Sequence, residues 1–88
     1  MEIINLLKAL KEESVSDVFL SEGKLPRVRR HGQVEKFAGG AVSKEDFISF
    51  FKEYLPAGTW ESLLKERDLD LGLSISPEER FRLHLGFE

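Results

Sequence analysis

The stretch Asp68-Leu69-Asp70-Leu71-Gly72-Leu73-Ser74-Ile75, followed after Ser76-Pro77-Glu78-Glu79 by Arg80-Phe81-Arg82-Leu83-His84-Leu85-Gly86-Phe87-Glu88, decides the fold. Leu69, Leu71, Leu73 and Ile75 are apolar in the first run, and Phe81, Leu83, Leu85 and Phe87 in the second. Strict alternation of this kind marks an antiparallel strand with one face on a core. The Ser76–Glu79 cluster is a turn, so the two runs form a β-hairpin. Residues directly opposite each other in a hairpin point the same way, so the odd-numbered apolar residues face one another. A four-residue loop, which pairs Ile75 with Arg80, breaks that rule; a loop of three or five residues keeps it. The second face then carries Asp68, Asp70, Arg80, Arg82 and His84 together, and function is expected on this charged array.

Upstream, Ile3, Leu6, Leu7 and Leu10 recur at helical spacing and predict a short amphipathic helix over 2–12, ended by Glu13-Ser14-Val15-Ser16. Asp17–Ser21 is a predicted strand, followed by the turn Glu22-Gly23-Lys24. Leu25 precedes Pro26 and is biased towards extended geometry. Arg27–Arg30 and Gln33–Phe37 flank His31-Gly32, a pair suited to a two-residue hairpin turn with positive φ. Alternation in these strands is weak, since Val28 and Arg30 share a face. Ala38-Gly39-Gly40-Ala41 is a flexible connection too short to separate two cores. Ser43 with Asp46 three residues later forms a capping-box pattern. The helix after it aligns Phe47, Phe50, Phe51 and Tyr54 and stops at Pro56. Thr59 is the expected cap of a third helix with Trp60, Leu63 and Leu64 inward. The order α-β-β-β-α-α-β-β predicts a single α+β domain over 1–88 with an antiparallel sheet.

Composition narrows the function classes. A chain of 88 residues buries about 60–65% of its unfolded surface and folds alone with modest stability. It contains no cysteine, which excludes disulfides and thiolate metal sites and fits a reducing compartment. The net charge of -3 argues against a general nucleic-acid binder, although Arg27, Arg29, Arg30 and His31 form a local basic patch. Met1-Glu2-Ile3-Ile4 lacks a basic n-region and Lys8 interrupts the apolar stretch, so no signal peptide is expected. Glu88 directly follows a strand-like residue, the pattern of a cut made inside a larger protein or of a terminus on an edge strand.

Known catalytic patterns fail one by one. Gly23-Lys24 does not belong to a phosphate loop, because Val18 stands where the first glycine is required and Leu25 follows the lysine. His31 and His84 are far apart, without carboxylates at local ligand spacing, so surface or pairing roles are expected and no metal site. No Ser-His-Asp or Cys-His arrangement can be assembled. What remains is Arg80 and Arg82, two apart on one strand and therefore projecting from one face. Guanidinium groups match phosphate oxygens in planar, bidentate geometry; the structural alternative is cross-strand pairing with Asp68 or Asp70.

In order, Ser16-Asp17-Val18-Phe19-Leu20-Ser21, Leu25-Pro26, Val28-Arg29, Gly32, Asp70 and Arg80-Phe81-Arg82-Leu83-His84 resemble the opening region of PilT-type ATPases. That family reads Ser-Asp-Leu-His-Leu-Ser, Pro-Pro, Arg-Val-Asp-Gly and Arg-Phe-Arg-Val-Asn there. The resemblance implies an N-terminal PAS-like domain with helices packed on one face of its sheet, preceding a RecA-like motor that is absent from this chain. It implies a cytoplasmic homohexamer at the inner membrane, powering type IV pilus retraction, with relatives that drive pilus extension or type II secretion. The implied partners are motor domains of the same and adjacent subunits and inner-membrane pilus platform proteins. ATP and Mg belong to the full-length parent, and this chain alone is expected to hydrolyse nothing. By position, Arg82 matches the family's arginine finger and Arg80 supports it at the nucleotide phosphates. The chain departs from the family at Phe19, His31 and His84, which stand where a histidine, an aspartate and an asparagine are usual. A different class of reading is a stand-alone PAS-like ligand-sensing or protein-interaction module, for which a small-molecule pocket beneath the helices is expected.

Overall fold

The computed structural model describes residues 2–10, 14–37, 40–77 and 79–87. The expected extension of the first helix through residues 11 and 12, the Ala38-Gly39 part of the connection, Glu78 and Glu88 lie outside the described residues. Among the described residues three helices and five strands follow in the expected order: α1 Ile3–Ala9, β1 Val15–Ser21, β2 Arg27–Arg30, β3 Gln33–Lys36, α2 Lys44–Tyr54, α3 Thr59–Glu66, β4 Asp68–Ser76 and β5 Glu79–Gly86. The five strands form one sheet ordered β3-β2-β1-β5-β4. Three pairings are antiparallel, but β1 and β5 run parallel. The sheet is therefore mixed rather than purely antiparallel. The reason is the connection: the chain leaves β3, crosses the sheet through α2 and α3, and returns β5 beside β1, as a parallel neighbour requires.

The hairpin β4–β5 has the register that its two faces demand. Leu69 pairs with Leu85, Leu71 with Leu83 and Leu73 with Phe81, while Asp70 pairs with His84 and Ser74 with Arg80. This is the three-residue-loop register along the ladder; a bulge between Ser74 and Ser76 then tightens the end, where Ser76 pairs with Glu79. The β2–β3 hairpin closes at Arg30 and Gln33 around His31 (φ 51°) and Gly32 (φ 79°). Positive φ at both central positions is the turn whose twist matches that of paired strands.

The capping box of α2 is formed: the Asp46 amide donates to Ser43 Oγ at 3.1 Å, and the Ser43 amide donates to Asp46 Oδ2 at 2.9 Å. Phe47, Phe50 and Phe51 are buried, whereas Tyr54 at the helix end is exposed and packs on the Phe50 ring. In α3 Leu63 is buried but Leu64 is exposed. An eight-residue helix presents only a narrow stripe, and Leu64 lies about 100° round from Leu63. Thr59 is not the cap; Gly58 holds that position with φ 89°, and the Thr59 hydroxyl instead donates to the Pro56 carbonyl at 2.6 Å.

One face of the sheet is covered by the helices. Val18, Leu20, Val28, Phe81, Leu83 and Leu85 pack there against Ile3, Leu7 and Leu10 of the N-terminal segment and against Phe47, Phe51 and Leu63. At the open end of this core Trp60 and Phe87 meet edge-on at 5.9 Å, and Phe47 meets Phe87 at 6.0 Å. Arg67 closes α3 in the left-handed region (φ 69°) and lays its guanidinium over the Phe87 ring at 4.8 Å. Among the described residues the opposite face of the sheet carries no helix, and it holds the polar residues of the alternation.

Candidate functional site

The parallel β1–β5 pairing assembles the outer face. It sets Phe19 beside His84 and Asp17 beside Arg82, while β4 adds Asp70 beside His84 and Gly72 beside Arg82. Arg27 and Arg29 of β2 continue the two rows, opposite Phe19 and Asp17. Successive strands stand about 4.8 Å apart, so in-register side chains on one face touch.

His84 is the hub. Its Nε2 lies 2.8 Å from Asp17 Oδ1 and its Nδ1 lies 2.8 Å from Asp70 Oδ1, joining three strands through one ring. Ionised carboxylates only accept hydrogen bonds, so with both aspartates ionised each ring nitrogen must carry a hydrogen. The Phe19 ring stacks on the imidazole at 4.5 Å with an interplanar angle of 12°. Arg27 and Arg29 sit over the Phe19 ring at 5.8 and 5.6 Å, so the aromatic ring lies among positive charges.

Asp17 is only 8% exposed. Its hydrogen bond with His84 holds the carboxyl below the usual 3.8, helped by the Ser16 hydroxyl, which donates at 2.7 Å. Burial works in the opposite direction, and the charges of Arg29 and His84 add to the lowering. The carboxylate is thus fixed as an anion under the sheet surface.

The two arginines singled out from the sequence differ. Arg80 is exposed and lies along β4: its Nη1 donates to Ser74 Oγ at 3.4 Å, and a Cβ placed on Gly72 would meet its Nη2 at 2.6 Å. Gly72 therefore provides the space that the guanidinium fills. Arg82 is exposed and forms no ion pair among the described residues. Among the described residues neither Asp68 nor Asp70 forms the alternative cross-strand pair with Arg80 or Arg82; the His84 ring, directly opposite Asp70, takes that carboxylate instead. Ser16, Asp17, Asp70, Gly72, Arg80 and Arg82 border a surface depression of about 570 Å³.

The basic cluster on β2 is divided by strand parity. Arg27 and Arg29 project from the outer face, Arg30 shares the inner parity of Val28, and His31 occupies the exposed turn. Gly23 is a turn residue with φ 79° whose amide donates to the Val42 carbonyl at 2.6 Å, so Gly23-Lys24 builds a strand connection and no phosphate cradle. Among the described residues no group of three His, Asp or Glu side chains converges on a metal position. Asp17 and Asp70 approach opposite nitrogens of His84 and cannot converge. No helix among the described residues is long and apolar enough to cross a membrane.

Sequence reasoning placed Asp70, Arg80, Arg82 and His84 on one face, and missed Asp17 and Phe19. The alternation Asp17-Val18-Phe19-Leu20 held the signal, since it sends Asp17 and Phe19 outward when Val18 and Leu20 turn inward. What it lacked was the identity of the neighbouring strand. No protein-family model matches the chain, and no curated protein matches it significantly.

Proposed function

We propose that this chain is an accessory domain of a PilT-like hexameric motor ATPase, a domain that packs on a neighbouring motor domain and directs Arg82 to its nucleotide phosphates. The observation that carries this reading is the state of Arg82. It stands exposed on a helix-free sheet face with no ion pair among the described residues, while both nearby carboxylates are engaged by His84. A guanidinium released from intramolecular pairing is what an arginine finger needs, because its charge must be met in the transition state of phosphoryl transfer and not before. Arg80, packed over Gly72, supports the same electropositive edge. Within this reading the parent polypeptide supplies the phosphate loop, ATP and Mg, assembles as a homohexamer, and works at the cytoplasmic side of the inner membrane with pilus platform proteins. The test is Arg82→Ala in the complete motor. ATP turnover is expected to fall by about a thousandfold, the lower end for an arginine finger, with hexamer assembly retained; unchanged turnover removes the assignment.

One observation favours a second reading, a PAS-like ligand-sensing or protein-interaction module. Ile48, Phe51, Leu55, Pro56 and Trp60 line an open cleft of about 540 Å³ between α2 and α3. Saturable binding of an apolar small molecule there, lost in Trp60→Ala, would support that reading.

A further inference from the structure

The two edges of the sheet are guarded differently. β3 is four residues long and ends in Lys36, whereas β4 runs for nine residues without proline or lysine. A long edge strand lacking those residues is a template for another strand. The inward-facing Leu69, Leu71 and Leu73 of β4 are only partly buried. With Tyr54, Leu55 and Pro56 they line a mainly apolar groove of about 680 Å³ along that edge.

The sequence of β4 specifies what fits it. The pattern is symmetric about Gly72: Leu71 mirrors Leu73, and Asp70 mirrors Ser74. An antiparallel second copy, set with Gly72 opposite Gly72, places Leu71 against Leu73 of that copy on the inner face, above the groove. On the outer face it places Ser74 opposite Asp70 of the second copy. Ser74 is the direct cross-strand neighbour of Arg80, whose guanidinium already lies across β4 above Gly72 and Ser74. Arg80 therefore reaches across β4, in the row that Asp70 of the second copy would extend. The two-fold axis makes this opposite-charge pair twice, and no like charges face each other.

We infer that β4 is a self-complementary docking edge whose occupant is a second, antiparallel copy of β4, joined across the two-fold axis by two Arg80–Asp70 pairs. The inference goes beyond the motor assignment and does not rest on it.

Sedimentation of the chain at increasing concentration tests it first. A monomer–dimer equilibrium is expected; a strict monomer up to the order of 100 µM overturns the proposal. The second test uses the charge pairs. Asp70→Arg and Arg80→Asp each turn two attractions into two repulsions and are expected to weaken dimerisation about tenfold or more. Mixing the two single variants restores both attractions in a heterodimer, so association recovers. Circular dichroism checks folding, because Asp70→Arg also removes the His84 contact. Should that variant unfold, Arg80→Asp against Arg80→Lys decides: loss with the first and retention with the second supports the edge. A wild-type dimer indifferent to charge reversal overturns it.

Discussion

The imidazole of His84 meets the carboxylate of Asp17, 67 positions earlier in the chain, at 2.8 Å. The contact spans the parallel β1–β5 pairing, which joins two strands far apart in sequence and running in the same direction. It fixes Asp17 as a buried anion and, through the other ring nitrogen, ties β4 into the same network. The polar face is thus cross-linked across three strands while its arginines stay exposed.

Asp17 makes stability depend on acid in a defined direction. Its carboxyl titrates lower in the folded chain than its ordinary 3.8, first because of the His84 hydrogen bond and then because of the Ser16 hydroxyl. A group lowered on folding contributes fully above the unfolded value and loses that contribution as pH falls through the folded one. Asp17→Asn is expected to cost about 1–2 kcal/mol near neutral pH. Urea titrations at several pH values should show the gap between variant and wild type narrowing below about pH 4. A gap independent of pH would show that Asp17 contributes through packing and not through its charge.

The β2–β3 turn gives a backbone prediction. Gly32 sits at φ 79°, where a side chain meets open space but a strained conformation. Gly32→Ala is expected to cost about 1–2 kcal/mol through that strain alone. His31, at φ 51° in the same turn, is expected to accept asparagine without loss, since asparagine enters the left-handed region readily. Thermal melts of the two variants check both expectations.

Local pattern made much of this legible. The period of 2 over Asp68–Ser74 and Arg80–Phe87 gave both faces of the hairpin, and Ser43 with Asp46 gave the start of α2. Elements governed by distant partners were not legible. Thr59 carries capping chemistry, yet the left-handed backbone of Gly58 sets the helix start. Leu64 has core chemistry, yet the eight-residue helix turns it to solvent. Asp17 reads only as the first residue of a strand until the parallel pairing brings His84 to it. Long-range pairing is invisible to periodicity, and the centre of the candidate site depends on it.

Phe47 tests where the stability of the helix layer resides. It is fully buried and contacts Phe51 and Phe87 edge-on. Phe47→Ala removes a large apolar surface and leaves a cavity, at a cost of about 3–5 kcal/mol. That is a large fraction of the stability of a domain this small. Denaturant unfolding should give a sharply lowered midpoint or a chain that no longer unfolds cooperatively.

Arg82 yields the prediction that makes the functional test interpretable. Its neighbours in register are Asp17 and Gly72, but Asp17 is already bound by His84 and Ser16, and glycine offers no partner side chain. Removing the guanidinium therefore breaks no described ion pair and opens no cavity. Arg82→Ala in this chain is expected to change stability by no more than about 0.5 kcal/mol, the range of an exposed surface substitution. A larger loss, measured by denaturant unfolding, would show that Arg82 has a structural role. A loss of turnover in the proposed motor would then report damage to the domain. With stability unchanged, the same loss of turnover belongs to the guanidinium itself.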